Sequence, residues 1–174
     1  MQLADQSSAT DTLMIDAPHL KSHRTASSMD LKIGRGRLIG RTKGELNSKL
    51  HAIAETAGRP LTIFLTAGLR SNCIGAQALL DGLPPTRHML VDRGYDANWY
   101  REVLEDMGIA PFSPSRKGRK VTIPHDETRN RKRHKVKNSF ARFKDWRKIM
   151  TRYDRYPKVF LSACTLAAVV VFWS

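Results

Sequence analysis

The sequence predicts an α/β domain in which one mixed β-sheet carries helices on its faces. Three observations lead there. Apolar runs of strand length and apolar stripes at helical spacing follow one another as strand, hairpin, helix, strand, helix, strand, helix, the order of a layered fold. A chain of 174 residues with 41% hydrophobic residues is enough for one buried core and too short for two. From Glu127 to about Tyr153 there is neither Gly nor Pro, so a long helix is expected, and a further apolar helix closes the chain.

Residues 1–11, MQLADQSSATD, are polar and read as a flexible lead-in, which leaves 12–174 as the domain. Thr12 to Ala17 (TLMIDA) reads as a short buried strand ending on an acid, Asp16. Lys21 to Lys43 is basic and broken by Gly34, Gly36 and Gly40, so it reads as a long mobile loop. Its glycines complete neither GxxxxGK[ST] nor GxGxxG, and no nucleotide-phosphate loop is expected. KLHAIAET (Lys49 to Thr56) and PLTIFLTAG (Pro60 to Gly68), joined by Ala57-Gly58-Arg59, form a hairpin pattern.

Cys73 to Leu83 sets Ile74, Ala78 and Leu79 at helical spacing and stops before Pro84-Pro85. HMLVDRG (His88 to Gly94) is a third buried run, ending on Asp92. Trp99, Val103, Leu104 and Met107 mark one face of a helix over Asn98 to Met107. IAPFSPSRK, from Ile109, reads as an edge strand, because its prolines lack the N–H a ladder needs. On the long helix, Val136, Phe140, Phe143, Trp146 and Met150 form an apolar stripe, and Arg133, Lys137, Lys144 and Lys148 form a basic stripe beside it. Val159 to Trp173 has the composition of a membrane segment but falls short of the roughly 18–20 residues a span needs. A buried terminal helix is expected, with a tail anchor as the minor alternative and no membrane partner.

Thirty Lys and Arg against sixteen Asp and Glu give +14, a charge that needs a polyanion to screen it; nucleic acid fits better than an anionic membrane. RKRHKVKNSFARFK, Arg131 to Lys144, concentrates seven Lys or Arg with no acid. Alone, such a run is a solvated or phosphate-facing surface without catalytic meaning. Cys73 and Cys164 lie far apart and lack partner motifs, so neither a disulfide framework nor a cysteine zinc site is suggested, and a reducing cytosol fits best. No signal-peptide pattern occupies the first thirty residues, which argues against export. His19 and His23 are spaced i, i+4, but Pro18 and the loop context favour surface or phosphate-contacting histidines over a metal pair.

Two candidate strands end on aspartates, Asp16 and Asp92. If those strands pair side by side in parallel, the carboxylates lie a few ångströms apart at one sheet edge and suit hard divalent cations. That is the geometry of two-metal phosphoryl transfer. On pattern alone, a turn or helix cap is the commoner role for such an acid.

Five blocks, IDAPHLKSHRTASS, GRLIGRTKGELNSKLHA, LVDRGYD, RHKVKNSFARFKDWR and TRYDRYPKVFLSA, in this order and spacing, closely resemble the insertion-sequence DDE transposases of the IS-five type, within the IS-four superfamily. The resemblance runs from Thr12 to Trp173. It implies an RNase H-like α/β domain with a mixed five-stranded sheet, whose two aspartates and one glutamate hold two Mg²⁺ (or Mn²⁺) ions. It also implies cleavage of DNA at transposon terminal inverted repeats and joining to target DNA, in the bacterial cytoplasm at the nucleoid.

By this resemblance Asp16 and Asp92 are the first two metal-binding acids. Arg133 and Lys144 match the family's helix motif, whereas Asn130 replaces its Tyr and Lys137 stands in place of the catalytic Glu. Other departures are Glu45 for Gly, Leu69 for Gln and Asn72 for Asp. A lysine at a metal site removes a ligand and adds repulsion. Arg41, Lys43, Arg133, Lys144 and Lys148 are the expected DNA-binding residues. A homodimer, and an N-terminal end-recognition segment supplied from an upstream frame, are further expected partners. The alternative expectation is a non-catalytic, basic DNA-binding remnant of such an enzyme.

Overall fold

Strand β1 (Thr12–Asp16) lies in the middle of the sheet, and its Leu13, Met14 and Ile15 are all fully buried. Leu13 and Ile15 pack on one side and Met14 on the other, the burial a strand needs when helices cover both faces. The computed structural model describes residues 11–27, 36–115, 118–119 and 134–173. β2 (His19–Ser22) and a single helical turn, α1 (Arg24–Ser27), follow β1. Next come β3 (Gly40–Thr42), the long β4 (Glu45–Glu55) and β5 (Pro60–Ala67). Helix α2 (Asn72–Gln77), β6 (His88–Leu90), a 3-10 turn (Arg93–Tyr95), α3 (Asn98–Asp106) and β7 (Ala110–Phe112) come after. The last elements are α4 (His134–Lys144), α5 (Arg147–Met150), β8 (Thr151–Arg152) and α6 (Pro157–Phe172).

The body of the sheet runs β5-β4-β1-β6-β7. β4 is antiparallel to both β1 and β5, whereas β1, β6 and β7 are parallel. Parallel neighbours require crossovers, and α2 and α3 lie in those connections. The first half of β4 also pairs with β2 and β3, and β2 pairs in parallel with β8. On one face Met14, Leu50, Ala52, Ala54 and Leu90 meet Phe140 and Phe143 of α4, Ile149 of α5, and Phe160, Cys164, Ala167 and Ala168 of α6. On the other, Leu13, Ile15, Ile53, Met89 and Val91 meet Cys73 and Ala76 of α2, the turn residue Tyr95, and Tyr100 and Leu104 of α3.

Several expectations are corrected. Among the described residues the sheet has eight strands rather than five, since β2, β3 and β8 join it. Lys21 to Lys43 is not one loop: it holds the end of β2, α1 and β3, and the two strands gain backbone partners from β4 that their polar composition does not announce, while residues 28–35 lie outside the described residues. The long helix gives way after Lys144. Trp146 turns extended (ψ 107°), α5 adds one turn, and Trp146 and Met150 of the expected apolar stripe are exposed. Beyond α5, Arg152 is 0% exposed, and its guanidinium donates to Ser48 Oγ (2.7 Å), Asp154 O (2.9 Å) and Arg155 O (3.2 Å) and lies 5.3 Å from the Phe160 ring. Those contacts hold residues 151–152 on β2 as strand, which ends the helical run at Met150.

Helix faces are also rotated from the expected ones. In α3 the buried residues are Tyr100, Arg101 and Leu104, while Trp99 and Met107 are exposed. Arg101 is drawn in because Asp96, 4% exposed, accepts from its Nε at 3.0 Å and from Arg119 at 2.6 Å. In α2 Cys73 and Ala76 face inward and Ile74 outward. α6 is buried on one face only, with Val159, Leu166, Val169 and Val170 exposed on the other. Among the described residues no helix is long and apolar enough to cross a membrane.

Candidate active site

β1 and β6 pair in parallel with Thr12 opposite His88, Leu13 opposite Met89 and Met14 opposite Leu90. Continued two residues past its last pair, this register would set Asp16 level with Asp92, and both carboxylates lie near enough to Tyr95 for their charges to act on it. The structure thus brings these two candidates together. β6 itself ends at Leu90, and Asp92 caps the 3-10 turn, its Oδ1 accepting from Gly94 N at 2.6 Å. Asp16 Oδ1 accepts from Ala17 N at 2.9 Å. Backbone donors of this kind fix a carboxylate's orientation.

Three further residues surround the pair, and of these only Asn72 stood out in the sequence, as a departure from the resembled family. Tyr95 is fully buried, and its hydroxyl has no hydrogen-bond partner among the described residues. Burial, and then the charges of Asp16 and Asp92, push its pKa well above the usual phenol value, so Tyr95 senses both carboxylates. Lys49 projects from β4, 6% exposed, and donates to Arg70 O (2.6 Å) and Asn72 Oδ1 (2.9 Å). Burial lowers its pKa and the charge of Asp92 opposes that shift. Asn72 opens α2 and packs against Gly94.

Lys137 is exposed on α4 and makes no ion pair with a described acid. It lies two residues from Ser139, whose hydroxyl donates to Gly58 O at 2.5 Å in the β4–β5 turn. Among the described residues no hydrogen bond or ion pair joins Lys137 to Asp16 or Asp92. Lys144 is exposed at the end of α4 and Lys148 is exposed on α5, so the expected basic stripe is split between two helices. Arg133, Asn130 and Glu127 lie outside the described residues. Arg41 is exposed on β3, and Lys43 is exposed in the tight turn to β4. His19 Nε2 meets Gly68 O at 3.2 Å and His23 Nδ1 meets Thr25 Oγ1 at 2.9 Å, so the two histidines are engaged separately.

Among the described residues no group of three or more His, Cys, Asp or Glu side chains is assembled for a metal. Mg²⁺ is nevertheless commonly bound through one or two carboxylates, with waters and substrate phosphates completing its shell. Asp16 and Asp92 supply two hard oxygen donors, and the orphaned Tyr95 hydroxyl is a donor suited to a coordinated water. The arrangement fits one hydrated ion. Among the described residues it does not supply the donors of a two-ion site.

A mixed sheet of this order, covered by helices on both faces, with Asp16 closing β1 and Asp92 two residues beyond β6, has the layout of the RNase H-like fold. Residues 7–172 match the family described as Transposase DDE domain, and the chain belongs to that family. It is similar to a protein of Brucella ovis named as a transposase for insertion sequence element IS6501, with 27% identity over 128 residues that cover 73% of this chain and 98% of that protein. It is also similar to a Burkholderia cepacia protein named as a transposase for insertion sequence element IS402, with 26% identity over 138 residues. That match covers 73% of this chain and 63% of the relative, so the chain spans less than two thirds of it.

Among solved structures, the catalytic core domain of BIV integrase aligns with TM-score 0.51 and 12% identity, covering 94% of this chain and 84% of that one. A piggyBac transposase synaptic complex with hairpin DNA aligns with TM-score 0.59 and 8% identity, covering 94% and 46%. These likenesses establish the RNase H-like fold.

Proposed function

We propose that this chain is the catalytic domain of an insertion-sequence transposase of the IS-five type, a DNA-binding protein whose cleavage and strand-transfer chemistry is impaired by Lys137. The observation that carries this reading is the parallel register of β1 and β6, whose continuation would set Asp16 level with Asp92, in a chain of the transposase DDE domain family. Asp16 and Asp92 would hold a Mg²⁺ or Mn²⁺ ion. When bound, such an ion supplies charge neutralisation at a phosphate and an acidified water. The chain's own residues do the rest. Ala17 N–H and Gly94 N–H orient the carboxylates, and the unpartnered Tyr95 hydroxyl, on which both their charges act, would be free to donate to a water beside them.

Arg41 and Lys43 on the β3–β4 hairpin, with Arg133, Lys144 and Lys148, would grip the backbone of terminal inverted repeats and target DNA. Lys137 holds the place of the third acid, where it contributes charge to the DNA-facing surface and no ligand to the metal. Homodimerisation, an N-terminal product from an upstream frame and a nucleoid location in the bacterial cytoplasm belong to the same reading. The exposure of Lys137 favours a second reading, a non-catalytic remnant that binds DNA through its charge alone.

The test is nicking of DNA that carries the element's terminal repeats, with Mg²⁺ or Mn²⁺. The chain as it stands is expected to leave the DNA intact, and Lys137→Glu is expected to gain metal-dependent cleavage. Cleavage by the unaltered chain would overturn the impairment. A folded Lys137→Glu variant that binds DNA but neither cuts it nor binds Mn²⁺ would favour the remnant.

A further inference from the structure

β4 carries a lysine where burial leaves little water to solvate it. The two acceptors of the Lys49 ammonium, Arg70 O and Asn72 Oδ1, are both neutral. A buried cation is costly without a counter-ion, and Asp92 is the carboxylate whose charge acts on it. Asn72 is the link between them. Its Oδ1 accepts from Lys49 while its Nδ2 lies against Gly94, where a Cβ would overlap that amide and come within 2.8 Å of Asp92 Oδ1. Glycine at position 94 therefore lets the Asn72 amide, the backbone of the turn and the Asp92 carboxylate pack as one unit. The Gly94 N–H completes that unit by donating to Asp92 Oδ1.

Nothing nearby on β4 shares the positive charge. His51, two residues along the strand, is fully buried and kept neutral, its pKa lowered to about 4 by burial and then by the charges of Lys49 and His19. Among the described residues of β4, Lys49 is thus the cation on which the charge of Asp92 acts.

We propose that Lys49 is the resident counter-ion of Asp92: acting through Asn72, it positions this carboxylate and balances its charge before a metal arrives, and it thereby weakens divalent-cation binding at Asp16 and Asp92. The second half rests on the reading of the two aspartates as a metal site; the pairing of Lys49 with Asp92 does not. Lys49 touches no substrate in this scheme and is a positioning residue. A metal ion entering beside Asp92 meets a fixed positive charge and competes with it for the same carboxylate.

The experiment uses the full chain and four variants: Lys49→Met, Lys49→Arg, Asp92→Asn and the double variant Lys49→Met/Asp92→Asn. Urea unfolding without metal reads the pairing. The loss caused by Asp92→Asn should shrink markedly once Lys49 is Met, and strictly additive losses would overturn the proposal. Mn²⁺ titration at fixed pH, followed by the paramagnetic resonance of the free ion, reads the second half. Lys49→Met should bind Mn²⁺ about tenfold more tightly, Lys49→Arg should stay near the unaltered chain, and Asp92→Asn should lose the site.

Equal or weaker Mn²⁺ binding by Lys49→Met overturns the claimed competition. Mn²⁺ binding indifferent to Asp92→Asn, with the coupling intact, overturns the metal reading and leaves the Lys49–Asp92 pairing standing. If Lys49→Met fails to fold, Lys49→Gln removes the charge while keeping a hydrogen-bond donor and serves the same comparisons.

Discussion

His51 shows how far a single buried side chain can govern this protein. Its Nε2 meets Thr66 Oγ1 at 2.9 Å, and Gly75 packs so close that a Cβ there would overlap the ring. Folded, it takes a proton only near pH 4, whereas in the unfolded chain it does so near 6.5. The unfolded state therefore binds the extra proton as pH falls through this window, and stability present above about 6.5 is lost progressively towards 4, by up to about 3 kcal/mol. Unfolding free energies measured on either side of the window should differ less in His51→Gln than in the unaltered chain. At this scale the sequence was informative about acids and silent about their neighbours. Asp16 and Asp92 are visible because an acid closing an apolar run breaks the pattern. Lys49 opens its run in KLHAIAET like any strand-flanking lysine, and only the fold of the Arg70–Asn72 loop over it makes it a buried cation.

Two elements carry testable strain or anchorage. The β3–β4 hairpin turns through Lys43 (φ 49°) and Gly44 (φ 85°), the left-handed pair that favours Asn-Gly. Lys43→Asn should raise stability by about 1 kcal/mol, seen as a higher melting temperature, while weakening DNA binding if Lys43 holds a phosphate. Helix α4 is pinned by Ser139, 7% exposed, which bonds Gly58 O at 2.5 Å and Lys135 O at 3.0 Å. Ser139→Ala should cost about 1–2 kcal/mol and speed hydrogen exchange in residues 134–144 more than in β1 or β4. The hairpin β4–β5, α3, the proline-bearing edge strand β7 and the apolar α6 were all legible, since period and turn residues mark them. The break after Lys144 was not. Trp146 and Met150 fit helical spacing, and the helical run ends at Met150, beyond which Arg152 reaches Ser48 in another part of the chain.

For the molecule as a whole, the net charge of +14 makes one demand on any DNA complex. Affinity for double-stranded DNA should fall linearly on a log–log plot against salt, with little dependence on sequence, and a salt-indifferent affinity would contradict a phosphate-gripping surface. Charge, a single core and the layered fold class were readable from composition and periodicity. The division of that core into two faces needed the register of β1 and β6. β4 has a different kind of consequence. One strand of eleven residues pairs with β1, β2, β3 and β5, and only β3 and β5 reach it through short turns. Folding should therefore begin at those two hairpins, with β4 as the template on which the distant β1 later docks and aligns Asp16 with Asp92. Kinetics and geometry meet in that strand: substitutions along β4 should slow refolding, whereas those in α6 should chiefly hasten unfolding.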